Sequence, residues 1–218
     1  MITKKEAWKK RPDECSIPVD MTECWFKFTR RWFKFRNQTT FSTFLPKRFP
    51  SDQPWKSIQI GVFEGYDLAW QMQNLFRHPD SRVIAIDPWE ATTKLDQSYM
   101  DAVYDRAKHN LRKWRNQIEL VRGYSQEVLK NLASQPHEQN SYDLVIIDGD
   151  HNAPGVYEDA VWSYELVKPG GWLLFDDVRN QRPKKHHVQE GLDNFMSDYE
   201  GRVKRIWYHR FCDCLEKL

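Results

Sequence analysis

Five short apolar runs recur down the chain: "SIQIG" from Ser57, "RVIAID" from Arg82, "QIELVRG" from Gln117, "DLVIID" from Asp143 and "WLLFD" from Trp172. Between them, apolar residues return every three or four positions. They do so at Leu68, Met72, Leu75 and Phe76, at Val103, Ala107, Leu111 and Trp114, and at Val156, Ala160, Tyr164 and Val167. Val188, Leu192 and Phe195 follow the fifth run in the same way. A strand apolar at nearly every position must be covered on both faces, and amphipathic helices between such strands supply the cover. The alternation therefore predicts an α/β, Rossmann-like, doubly wound fold built on a mostly parallel sheet. Local signals agree: "HPDS" stops the first helix, Ser125 suits an N-cap, Pro154 suits a first helical turn, and "KPGG" makes a turn before the fifth strand. Two adjacent β-like runs, "RVKRIWYH" and "FCDCLE", close the chain.

Ligands of such sheets bind beyond the carboxyl ends of the strands. There the fourth run ends in Asp148-Gly-Asp150-His151 and the fifth in Asp176-Asp177. One acid at a strand end is ordinary, because loops are polar. Four carboxylates at two ends repel one another, which implies a positive charge among them. The first run leads through Gly61-Val-Phe-Glu-Gly65 into a helix, and Asp87 ends the second run. That is the setting in which an acid takes a ribose hydroxyl pair. A dinucleotide loop needs a middle glycine so that backbone N–H groups can press on pyrophosphate. Phe63 stands there instead, and Glu64 adds negative charge, so the loop suits an adenosyl ligand without phosphate.

Composition bounds the rest. Among 218 residues, 33 Lys and Arg nearly cancel 31 Asp and Glu, which gives no electrostatic reason to expect nucleic acid. No apolar run approaches a membrane span, and the basic N-terminus has no apolar stretch behind it, so the expectation is a cytoplasmic protein. Cys15 and Cys24 lie far from Cys212 and Cys214, and neither pair has zinc-ligand spacing; reduced thiols are expected.

The pieces "IGVFEGYDLAW" (60–70), "VIAIDPWE" (83–90), "VRGYSQEVL" (121–129), "IIDGDHNAPGVYEDA" (146–160) and "VKPGGWLLFDDV" (167–178) together resemble the class I S-adenosylmethionine-dependent methyltransferases. The resemblance implies that Gly61, Phe63 and Gly65 line the methionine end of the cofactor, with Asp148 beside it. It implies that Asp87 holds the ribose, and that Trp89 and the Gly123–Ser125 turn bracket the adenine. For Trp89 the alternative is surface packing. One departure is Gln59, which stands where the family often has an acid. The resemblance also implies that the closing runs form an antiparallel hairpin completing a seven-stranded sheet.

Asp148, Asp176 and Asp177 match the metal-binding positions of divalent-dependent O-methyltransferases of this fold. An all-oxygen cluster suits Mg²⁺, which acidifies a bound hydroxyl. His151 and Asp150 both match base positions in related sugar O-methyltransferases. An imidazole, with its pKa nearer neutrality, favours His151. The expected reaction is methylation of a hydroxyl on a small molecule or sugar. A hydroxylase-like enzyme of the same branch and a non-catalytic cofactor-binding module are the rivals. The domain is expected at 57–218, with 1–56 as a helical extension or lid, and a homo-oligomer is open. Within that extension, "WFKFTRRWFKFR" (25–36) places Trp25, Phe28, Trp32 and Phe35 on one side of a helix and Lys27, Arg30, Arg31 and Lys34 on the other. Packing on the sheet domain, a lid or dimer contact, and an anionic membrane are its three uses.

Overall fold

A computed structural model describes residues 26–30, 33, 35–178, 187–209 and 211–218. The chain alternates as the apolar pattern requires. Helix α1 (Phe35–Arg48) precedes β1 (Lys56–Ile60), α2 (Tyr66–Asn74), β2 (Arg82–Asp87) and α3 (Gln97–Leu111). Then come β3 (Ile118–Arg122), α4 (Ser125–Ala133), β4 (Tyr142–Ile147), α5 (Ala153–Leu166) and β5 (Val167–Phe175). Helix α6 (Val188–Asp198) and the strands β6 (Val203–His209) and β7 (Cys212–Lys217) complete it. The seven strands form one sheet in the order β3-β2-β1-β4-β5-β7-β6. The first five are parallel and β7 runs antiparallel to both β5 and β6, so the expected hairpin is present.

Each central strand feeds two cores. On β4, Leu144 and Ile146 face one side, while Val145 and Ile147 face the other; on β5, Trp172 and Leu174 oppose Leu173 and Phe175. Helices α1, α2 and α3 cover the first face with Phe41, Leu45, Trp70, Val103 and Ala107. Helices α4, α5 and α6 cover the second with Leu129, Val156, Ala160, Leu192 and Phe195. The chain leaves β1 for β2 and β3 on one side and returns to β4 and β5 on the other. The crevice between the carboxyl ends of β1 and β4 is therefore the switch point where ligands of such sheets lodge.

Three local expectations need correction. "KPGG" does not precede the fifth strand but lies within it. Pairing slips from Tyr142↔Val167 to Leu144↔Trp172, and the extra residues are absorbed as a bulge with Gly170 at φ +75. Val167, placed on the preceding helix by periodicity, opens that strand.

The third concerns the aromatic–basic segment, expected as a helix over 25–36. Residues 26–30 are not helical, and the helix begins at Phe35. The reason is competition for backbone donors. The N–H groups of Lys27, Thr29 and Arg30 are donated to side chains of the sheet domain, which a helix would forbid. Phe26 and Phe28 instead point inward together, Phe26 stacking on Trp114 and Phe28 meeting Tyr66 edge-on at 4.6 Å. Trp25, Arg31, Trp32 and Lys34 lie outside the described residues, as do Cys15 and Cys24. Cys212 and Cys214 are free and buried.

Candidate active site

The strand ends are stapled by backbone hydrogen bonds: Gly61 N–H donates to Ile86 O, Asp148 N–H to Ile60 O, Asp176 N–H to Ile147 O and Gly123 N–H to Asp87 O, all at 2.9–3.1 Å. This brings every predicted site loop to one edge of the sheet. The approach of the first and fourth loops is tight. A Cβ on Gly61, whose φ is +81, would lie 1.9 Å from the Asp148 carbonyl oxygen. Backbone strain gathers at the same edge, with Phe63, Trp89 and Asp177 at φ of 50, 43 and 55. Side-chain-bearing residues hold such angles only where surroundings over-determine them, and such places are often functional.

Asp87 supplies much of that determination. Its Oδ2 accepts from the N–H groups of Val62 and Phe63, both at 2.9 Å, and its Oδ1 from Trp89 N–H at 2.8 Å. A carboxylate has about four acceptor sites, so capacity remains for a ribose hydroxyl. Gln59, where an acid was expected, is buried. It donates to Gly61 O and accepts from Gln71, bracing the strand beneath the loop.

Trp89 departs from both of its sequence readings. The side chain is fully buried, tilted against Tyr104, with its N–H donated to Phe63 O at 2.9 Å. It has no free face for an adenine and is not surface packing; it locks the first loop to the second. Gly123 and Ser125 do lie at the expected edge, with Tyr124 exposed between them and bonded to Glu90.

Asp148, Asp176 and Asp177 lie near enough to disfavour one another's charge. Burial first, then Asp148 and Asp177, push the Asp176 carboxyl up to about 8. Burial likewise lifts Asp148 to about 6 against the pull of His151, with Asp67 and Asp177 adding to the rise. His151 Nε2 stands 3.6 Å from Asp148 Oδ1. Burial opposes its protonation, but Asp148, Asp177 and Asp176 outweigh that and hold the imidazole above its ordinary value. Asp150 is drawn away: it is exposed and accepts from the Asn152 backbone and side-chain N–H groups, while Asn152 caps α5 through Gly155 N–H. The structure thus sets His151, not Asp150, among the acids. Among the described residues, no three His, Cys, Asp or Glu side chains stand together at metal-ligating spacing.

Two participants escaped the sequence reading. Asp67, in the first turn of α2, is lifted to about 7 by burial, with Asp176 and Asp87 adding to it. Cys212 donates its thiol to Asp176 Oδ1 at 3.1 Å from β7. The only signal for Asp67 was its place two residues after Gly65; nothing in sequence brings Cys212 to β5.

A family model described as "Methyltransferase domain" matches residues 58–178, the stretch from β1 through the paired acids. The chain belongs to the class I S-adenosylmethionine-dependent methyltransferases. An uncharacterized protein of Acanthamoeba polyphaga mimivirus is 30% identical to this methyltransferase over 66% of the chain. The hybrid PKS-NRPS synthetase thnA of Trichoderma harzianum is 29% identical over 68% of it. The chain spans 60% of the viral protein's length and 4% of the synthetase's. Among solved structures, the MycE methyltransferase of the mycinamycin biosynthetic pathway, in complex with Mg, SAH and mycinamycin VI, matches with a TM-score of 0.59 and 17% identity. The match covers 91% of this chain and 54% of that one. A Corynebacterium glutamicum protein matches 99% of the methyltransferase and 91% of its own chain, at a TM-score of 0.57 and 15% identity. At these identities the structures establish the fold. No helix among the described residues is long and apolar enough to cross a membrane.

Proposed function

We propose that this methyltransferase moves a methyl group from S-adenosylmethionine to a hydroxyl oxygen of a small molecule or sugar, assisted by a divalent cation. The observation that carries the reading is the placement of His151 beside Asp148, Asp176 and Asp177 at the switch point. When bound, the cofactor supplies an electrophilic methyl group. Gly61 lets the first and fourth loops meet, the place of a Cβ being filled by the Asp148 carbonyl, and so fixes the loop on which the cofactor would lie. Asp87 would offer its remaining acceptor site to a ribose hydroxyl, and the Gly123–Ser125 turn would flank the adenine.

The donor chemistry suits Mg²⁺, although the side chains do not stand at ligating spacing: Asp148, Asp176 and Asp177 offer only oxygens, and burial, followed by neighbouring carboxylates, raises the proton affinity of Asp148 and Asp176. A hard cation there would balance those carboxylates and acidify a neighbouring hydroxyl. His151 would accept the acceptor's proton, and Asp148 beside its ring would stabilise the imidazolium that results. Vicinal oxygens would suit such a site, as in a sugar diol or a catechol-like ring. Support for a small-molecule acceptor comes from the likeness to MycE, whose complex holds Mg, SAH and mycinamycin VI, and to a segment of a PKS-NRPS synthetase. A cytoplasmic location and a homo-oligomer remain parts of the same proposal.

Titrating S-adenosylhomocysteine into the protein with Mg²⁺ and again with EDTA tests it. Binding in both buffers, tighter with Mg²⁺ and equal in the two for Asp176→Ala, is the expected outcome. Indifference of the wild type to the metal would remove the cation from the mechanism. Absence of binding in either buffer would defeat the reading.

A further inference from the structure

Glu64 was expected to repel phosphate. In the structure it is occupied otherwise: although it belongs to the first loop, it is 1% exposed and fully engaged. One oxygen accepts from Arg106 Nε at 2.6 Å and from the Thr29 hydroxyl at 2.5 Å. The other accepts from the backbone N–H groups of Thr29 at 2.6 Å and Arg30 at 3.1 Å. The backbone carbonyl of Glu64 accepts from Asn110 Nδ2, and Asn110 Oδ1 accepts in turn from Lys27 N–H at 2.7 Å. Residues 26–30 are thus laid over the loop, with Phe26 and Phe28 packed on Trp114 and Tyr66 as their apolar anchors.

The loop is consequently held from two sides. Asp87 grips the N–H groups of Val62 and Phe63 from within the sheet, and the strap grips Glu64 from outside. Within the gripped stretch Phe63 holds a φ of 50, a left-handed backbone that a side-chain-bearing residue in a free loop would relax. Without the strap, Glu64 would keep Arg106 but lose three hydrogen bonds to its carboxylate.

We infer that residues 26–30 are a working part of the cofactor site although they lie outside the matched domain of 58–178, and that Glu64 is the positioning residue through which they shape the loop. Nothing in the family match requires this contact. The inference rests on the reading that the Gly61–Gly65 loop holds the cofactor.

Thr29→Pro tests it from the strap side. The variant removes the 29 N–H and the hydroxyl, changes no residue of the sheet domain, and alters an exposed position that should not decide folding. Thr29→Ser retains both groups and serves as the rescue. S-adenosylhomocysteine affinity by calorimetry and the unliganded melting temperature are measured for each. Charge-assisted hydrogen bonds predict an affinity weakened roughly tenfold or more in Thr29→Pro and within about twofold of wild type in Thr29→Ser. Unchanged affinity in Thr29→Pro, with or without a lower melting temperature, would make the strap packing alone and overturn the inference. Failure of the wild type itself to bind would instead overturn the cofactor reading on which it rests.

Discussion

Asp159 lies fully buried in α5, outside the group formed by Asp148, His151, Asp176 and Asp177, and its energetics can be isolated. Its Oδ1 accepts from Gln126 Nε2 at 3.0 Å, while among the described residues Oδ2 has no hydrogen-bond partner. Burial lifts the carboxyl from 3.8 to about 7, with Ser125 lowering it somewhat and Asp150 and Glu158 raising it. A raised acid binds its proton more tightly folded than unfolded. Its contribution is therefore intact below the unfolded pKa and is lost progressively as pH rises from about 4 through the folded value near 7. Integrating between pH 5 and pH 8 with those two pKa values gives a loss of ~2.5 kcal/mol from this one group. Asp159→Asn imitates the protonated form: it keeps the oxygen facing Gln126 and cannot ionise. Urea unfolding of both proteins across that range should show the variant's stability relative to wild type rising by ~2.5 kcal/mol between pH 5 and pH 8. Every other titrating group is common to the pair and largely cancels in the difference. A stability difference that does not change with pH would refute the claim that this carboxyl is neutral in the fold.

Two further outcomes follow from the site. Gly61→Ala and Gly170→Ala share a left-handed backbone, at φ +81 and +75, but only the first would push a Cβ into backbone, 1.9 Å from Asp148 O. The second meets nothing within 4 Å, so it should cost ~1–2 kcal/mol and a few degrees of melting temperature, and Gly61→Ala far more. Equal shifts would contradict the close approach of the two loops. His151→Gln should lose roughly 10²–10⁴ in turnover while S-adenosylhomocysteine affinity stays within about twofold. A base must be unprotonated, and the surrounding acids hold His151 above its ordinary 6.5. Wild-type turnover measured at low divalent cation should therefore climb with pH through a midpoint above that value, and addition of Mg²⁺ should move the midpoint down. A pH-independent rate would remove His151 as the acceptor.

What sequence carried, and what it did not, divides along one physical line. Burial on both faces of a parallel sheet forces runs such as Asp143–Asp148 and Trp172–Asp176 to be apolar and their ends polar, so strands, order of elements and acid cluster were legible. The Gly61 loop and Asp87 were legible because a local conformation and a close approach demand particular residue types. Two of the misreadings concern groups whose surroundings are set by distant chain. "WFKFTRRWFKFR" has good helical periodicity, yet Glu64, 35 residues after Thr29, offers its N–H a charged acceptor that a helix cannot match. Trp89 looks like a ligand platform until Tyr104 and the Phe63 carbonyl are placed around it. Asp150 and His151 are neighbours in sequence, but the Asn152 N–H groups hold Asp150 at the start of α5 while the imidazole faces Asp148. In each case a backbone or carboxylate that must be satisfied outweighs the periodicity of the residues beside it. The same rule makes the strap part of the site: the buried Glu64 carboxylate recruits donors from wherever the chain can bring them.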